Sequence, residues 1–241
     1  MESACKDIDI RSVIDLVHDD NVTDELSNIM TKYDSDKGGG LSDAFILYNG
    51  VPRNGVCHNY TFYYAKLFSN IRNEPVNIFE MGVGVPSCMG SWAGSLLGWQ
   101  EYFPNSKIFS ADFDKNYLYN KGRITSYYVD QEDEASIKEL WTNMENETFD
   151  FMIDDGPHTY SSNYLFYINS IYKLKKNGIY IIEDIHTNFI DQLYDEILVW
   201  SNNNNIKIDI IKKIISYPKK FNHHDARIMN MNNLIFIKKL D

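Results

Sequence analysis

Two short apolar runs that each end in acids constrain this chain more than any other feature. Phe149 to His158 reads FDFMIDDGPH, and Gly178 to His186 reads GIYIIEDIH. Each run has the length and near-continuous apolar character of a strand buried on both faces, and each gives way to a carboxylate pair with a histidine close behind. Two parallel strands ending this way deliver Asp154, Asp155, Glu183 and Asp184 to one edge of a sheet, where α/β folds hold their ligands. Oxygen donors gathered at one edge suit a hard divalent cation.

The rest of the chain supplies the sheet. From Val76 onward short apolar runs alternate with helical stretches, the mark of a βαβ series. Strands are expected at 76–82, 107–112, 124–129, 149–154 and 178–183, and helices over 88–100, 115–120, 134–144, 160–174 and 188–201. Two final strands, near 206–215 and 233–239, have no helical pattern between them and fit an antiparallel pair at the sheet edge. The expected fold is therefore α/β and Rossmann-like, doubly wound. Its mostly parallel seven-stranded sheet carries an antiparallel edge strand and an N-terminal helical cover.

Within that cover, Ile10, Val13, Ile14, Leu16 and Val17 are spaced for one or two short amphipathic helices. Glycines at 38–40 and the Pro52 to Gly55 stretch mark loops, and His58 to Ile71 reads as a helix with an aromatic-rich face. Residues 1–72 thus form the cover and 73–241 the core of one expected domain, since 241 residues fit a single large α/β unit. The segment 217–232 is too long for a tight turn and is expected to reach toward the active site.

Charge narrows the partners. Lys plus Arg number 23 against 34 Asp plus Glu, a net charge of −11, which opposes binding to nucleic acid. Cys5, Cys57 and Cys88 are odd in number and share no metal-type spacing, so they read as reduced thiols. No run reaches the ~18 apolar residues that cross a bilayer, and nothing near Met1 has the pattern of a secretion signal. The expected setting is the cytosol, without a membrane partner; a homo-oligomer stays open.

Three strand ends carry groups suited to an adenosine-containing cofactor. The first is Glu80-Met81-Gly82-Val83-Gly84, where glycines at a βα turn let the backbone approach a ligand and the following helix offers its positive end. It lacks the third glycine of the pyrophosphate-binding fingerprint and carries Pro86, which favours a smaller nucleoside over a dinucleotide. Asp112 ends the second strand at the position suited to ribose hydroxyls. Asp130 and Gln131 end the third, with a carboxylate and an amide for the adenine edge.

These residues resemble a class I S-adenosylmethionine-dependent methyltransferase, and within that class the metal-dependent macrolide-type sugar O-methyltransferases. The resemblance covers about Tyr33 to Phe189. It rests on Ser35-Asp36-Lys37-Gly38, His58-Asn59-Tyr60, Asp154-Asp155-Gly156-Pro157-His158 and the stretch from Asn177 to His186. It implies S-adenosyl-L-methionine and Mg²⁺ as cofactors, a sugar or glycoside as substrate, Asp155, Glu183 and Asp184 as metal ligands, and His158 as general base. Tyr60 joins Glu80, Gly82, Gly84, Asp112, Asp130 and Gln131 on the cofactor side, and His186 is placed to contact the acceptor. Asp154 has no assigned role. Pro157, where the family has serine, and Val85-Pro86-Ser87 depart from the family pattern. Three other readings compete: a catechol-like O-methyltransferase, a non-catalytic binding protein that keeps the fold, and a nucleic-acid methyltransferase, which the net charge of −11 opposes.

Overall fold

The computed structural model describes residues 2–16, 24–33, 45–48, 51–54, 60–84, 92–215 and 233–241, with backbone alone at 45–48 and 51–54. Strands β1 (Phe45–Tyr48) and β2 (Val51–Asn54) form an antiparallel hairpin apart from the main sheet. The main sheet consists of β3 (Asn77–Met81), β4 (Lys107–Asp112), β5 (Ile124–Tyr128), β6 (Phe149–Asp154), β7 (Leu174–Ile185), β8 (Ile208–Lys213) and β9 (Asn233–Lys239). Its order is β5-β4-β3-β6-β7-β9-β8. The first five strands run parallel, and β9 lies antiparallel between β7 and β8, closing that edge as the sequence suggested.

Strand order reverses at β3, which pairs with β4 on one side and β6 on the other. Met81 lies level with Ala111 and with Asp154, so three strands end together and open a crevice between diverging loops.

Helices α1 (Glu25–Lys32), α2 (Thr61–Phe68), α3 (Gly94–Tyr102), α4 (Glu134–Asn143), α5 (Tyr160–Ser170) and α6 (Ile190–Asn203) cover the sheet. Two 3-10 turns, Ala4–Asp7 and Ile10–Val13, precede α1. Side chains fix where three helices start: Asp24 accepts from the Ser27 N–H, Asp133 from Ala135, and Thr159 forms a reciprocal capping box with Ser162. The Thr159 cap matters most here, because it sets the entry of α5 directly after His158.

On one face of the sheet the first 3-10 turns and α1 to α3 pack over Phe68, Trp99, Phe103 and Phe151, with the Phe68 and Phe151 rings stacked 4.5 Å apart. On the other, α4 to α6 cover Phe79, Trp141, Phe149, Phe166 and Tyr180. A register shift between Phe149 and Phe151 sends these two rings to opposite faces, against the strict alternation of a flat strand.

Four expected elements differ. Pro52 to Asn54, expected in a loop, belong to strand β2, where pairing with Phe45 to Leu47 gives the backbone its partners. Residues 115–120 form no helix, because Asp114 accepts from the backbone and side-chain nitrogens of Asn116 at 2.9 and 2.8 Å and Asn120 accepts from Ser126, which holds the stretch as a turn. The helix expected over 88–100 is described from Gly94 onward. Finally, α5 stops at Ser170, and after a 3-10 turn β7 begins at Leu174, earlier than expected. Backbone pairing favours the longer strand: Phe149 pairs with Leu174, and Glu2 bridges to Lys176.

Candidate active site

A cleft of about 430 Å³ opens at the crevice between the ends of β3, β4 and β6. Gly82 and Gly84 form one wall with φ of +93° and +85°, a region L side chains rarely adopt. A Cβ on Gly82 would lie 2.3 Å from the Asp155 carbonyl oxygen, so the glycine turn and the loop after β6 meet backbone to backbone. The Asp155 N–H donates to the Met81 carbonyl at 3.1 Å and ties the two together. Asp112 organises the opposite wall: its carboxylate accepts from the N–H groups of Val83 and Asp114, each at 2.9 Å. Asp130 and Gln131 also line the cleft.

Beneath that lining, Asp154 is fully buried and accepts from Gln131 Nε2 at 2.7 Å and Asn163 Nδ2 at 3.1 Å. Burial pushes its carboxyl up to about 6 despite those donors. This settles the open position in the sequence: Asp154 ties the end of β6 to the loop after β5 and to α5. The same contacts commit Gln131, whose carbonyl oxygen lies against Gly156 and whose amide serves Asp154.

The acids converge beside this cleft. Asp155 follows the last residue of β6, and Asp184 lies near the end of β7 with a positive φ of 54°. His158 is also left-handed, at φ 57°, directly after Pro157. Its Nε2 is 3.8 Å from Asp155 Oδ1 and 3.7 Å from Asp184 Oδ2. Among the described residues, Asp155, His158 and Asp184 bring one donor atom each within 4.8 Å of one another. Glu183 stands outside this trio, and its carboxylate accepts from the Tyr64 hydroxyl on α2.

Two residues grouped with the cofactor lie elsewhere. Glu80 is fully buried under α3, where it accepts from the Ser95 hydroxyl and, at 2.5 Å, from Trp99 Nε1, and it does not line the cleft. Tyr60 donates to Asp184 Oδ1, so it belongs with the acids rather than with the glycine turn. His186, two residues past Asp184, is half-buried; its Nδ1 accepts from the Asn188 N–H at 3.2 Å and its ring stacks with Phe189.

Sequence reasoning passed over two residues. Phe113 lines the cleft while 64% exposed, and an apolar side chain directly after a strand-end acid was the available signal. Tyr64 carried none, since an aromatic at helical spacing reads as core. The motif residues Ser35 to Gly38, together with His58 and Asn59, lie outside the described residues, as does the expected 217–232 segment.

The sheet order and the crevice define a Rossmann-like fold, one that this chain shares with a solved methyltransferase. Among solved structures, MycE methyltransferase from the mycinamycin biosynthetic pathway, in complex with Mg and SAH, aligns over 91% of this chain and 55% of its own at a TM-score of 0.60 and 22% identity. No family model matches the chain. Curated relatives are O-methyltransferases by name. One is the 8-demethyl-8-(2-methoxy-alpha-L-rhamnosyl)-tetracenomycin-C 3'-O-methyltransferase of Streptomyces olivaceus, 29% identical over 133 residues. Another is the demethylmacrocin O-methyltransferase of Streptomyces fradiae, 30% identical over 137 residues. These alignments take in 55% and 57% of this chain but only 34% of either relative, so the chain spans about a third of the length of the curated proteins it matches. Among the described residues, no helix is long and apolar enough to cross a membrane.

Proposed function

We propose that this chain is an S-adenosylmethionine-dependent, Mg²⁺-dependent O-methyltransferase that acts on a hydroxyl of a sugar or glycosylated small molecule in the cytosol, its 241 residues working as one domain. The observation that carries the reading is the approach of Asp155, His158 and Asp184 within 4.8 Å beside the cleft. The rhamnosyl groups in the names of two relatives support the sugar as substrate class.

The residues fit both groups. Carboxylate oxygens are what Mg²⁺ takes, and Asp155 and Asp184, which converge here, would hold it together with the neighbouring Glu183, the third ligand that the family resemblance implies. Gly82 and Gly84 keep the cleft wall free of side chains, while Asp112 presents acceptors suited to ribose hydroxyls. When bound, the cation would lower the pKa of the acceptor hydroxyl and S-adenosylmethionine would supply an electrophilic methyl.

The remaining work falls to the chain. His158 takes the hydroxyl proton at Nε2, which lies 3.8 Å from Asp155 Oδ1 and 3.7 Å from Asp184 Oδ2 and so stands next to the atoms that would hold the cation. His186, fixed by Asn188 and resting on Phe189, borders the acceptor side. Rigid placement of base and acceptor then contributes through alignment.

Radiolabelled S-adenosylmethionine tests this with two panels, methyl glycosides bearing vicinal diols and simple catechols. Transfer is expected to the glycosides, lost in excess chelator and restored by Mg²⁺. His158→Ala should lower turnover by roughly 10²- to 10⁴-fold while cofactor binding persists. Full activity in chelator refutes the cation role, and transfer to catechols alone refutes the sugar. Failure to bind S-adenosylmethionine refutes the enzyme.

A further inference from the structure

We infer that Tyr60 and Tyr64 are positioning residues for the cation site, each aiming one of the two consecutive carboxylates at the end of β7. The inference rests on the cation reading above and identifies what orients its ligands. Tyr60 donates to Asp184 Oδ1 and Tyr64 donates to Glu183 Oε1. Four residues apart, at the start of α2 and one turn into it, the two tyrosines share one helix face, and their rings lie 6.4 Å apart.

Both rings are at most 1% exposed, and Tyr64 is wedged against Trp99 and Phe68 at 5.7 and 6.1 Å. The hydroxyls therefore reach the acids on side chains with little freedom to move.

Adjacent residues of a regular strand point to opposite faces, so Glu183 and Asp184 should not both reach α2. They do because β7 breaks its alternation there. Its register against β9 shifts between Ile182 and Ile185, and Asp184 takes a φ of 54°. A left-handed aspartate costs free energy and persists where its surroundings hold it. Here the Tyr60 hydroxyl occupies Oδ1, and Oδ2 is the oxygen turned toward His158 at 3.7 Å. A neutral phenol can fix an orientation without cancelling the carboxylate charge that a cation needs. If the hydroxyls merely satisfied nearby acceptors, their loss would alter stability and leave cation affinity untouched.

The test uses the full chain and its Tyr60→Phe and Tyr64→Phe variants, which keep the ring packing. Mg²⁺ and Mn²⁺ affinity is measured by calorimetry, and melting is followed in chelator. Each variant should weaken cation binding by roughly 10- to 100-fold, whatever its melting temperature in chelator. Cation titration of the parent should also perturb the ultraviolet difference spectrum of buried tyrosine, a readout that requires no variant. Parental cation affinity in both variants, or a parent that binds the ions without a tyrosine difference band, overturns the positioning role alone. A parent that binds neither ion overturns the cation site and the positioning role together.

Discussion

Gly82→Ala is the sharpest perturbation of the cleft. Two costs follow from one added carbon. At φ +93° an alanine is strained by about 1–2 kcal/mol. Its Cβ would also sit 2.3 Å from the Asp155 carbonyl oxygen, roughly 1 Å inside a tolerable contact, and that atom is backbone with no rotamer to yield. Relief requires the glycine turn to part from the loop after β6, breaking the Asp155 N–H bond to Met81 at a further ~0.5–1.5 kcal/mol. The expected destabilisation is about 2–4 kcal/mol, read from urea unfolding with and without the substitution. Moving that loop displaces Asp155 and Gly156, both of which line the cleft, so S-adenosylmethionine affinity by calorimetry should fall by about 100-fold or more. Gly122→Ala is the control. There φ is +66° and the Cβ would meet the end of the Gln100 side chain, outside the cleft lining, so stability should drop while cofactor affinity holds. A Gly82→Ala protein with parental urea midpoint and parental affinity would refute the backbone-contact reasoning.

Two further outcomes test the fold. Asp150 is 1% exposed and accepts from Ser3 Oγ, the Ala4 N–H, the Asn77 N–H and Lys175 Nζ at 2.7–2.9 Å. Asp150→Ala strands the largely buried Lys175 ammonium and unfastens the N-terminal 3-10 turn, so about 3–5 kcal/mol should be lost in urea unfolding. In alkali, burial pushes the Cys5 thiol from 9.0 up to about 12 and the Tyr102 phenol from 10.0 up to about 12. The folded chain then holds protons that the unfolded chain releases, so stability is full below about pH 9 and is lost as pH rises toward 12. A melting temperature that stays flat from pH 9 to 12 contradicts this.

Strand ends were legible in the sequence, and side-chain directions at those ends were not. Asp112, Asp155 and Asp184 could be placed at one sheet edge because apolar runs of strand length end beside them, and parallel strands bring their C-terminal ends together whatever the side chains do next. Glu80 shared that signal and still turned away from the cleft, since Ser95 and Trp99, fifteen and nineteen residues further on, reach back from α3 to its carboxylate. The missing helix at 115–120 has a local cause of the same kind, with Asp114 and Asn116 closing on each other before a helical turn can nucleate. The approach of Asp155, His158 and Asp184 depends on left-handed backbone at His158 and Asp184 and on a register shift in β7, none of which leaves a trace in hydrophobic periodicity. A strict period of two would send Glu183 and Asp184 to opposite faces and leave at most one of them for α2 to hold. Hydrophobic patterning therefore identifies which acids reach the edge, whereas the irregular backbone at the strand ends decides which of them face the same point.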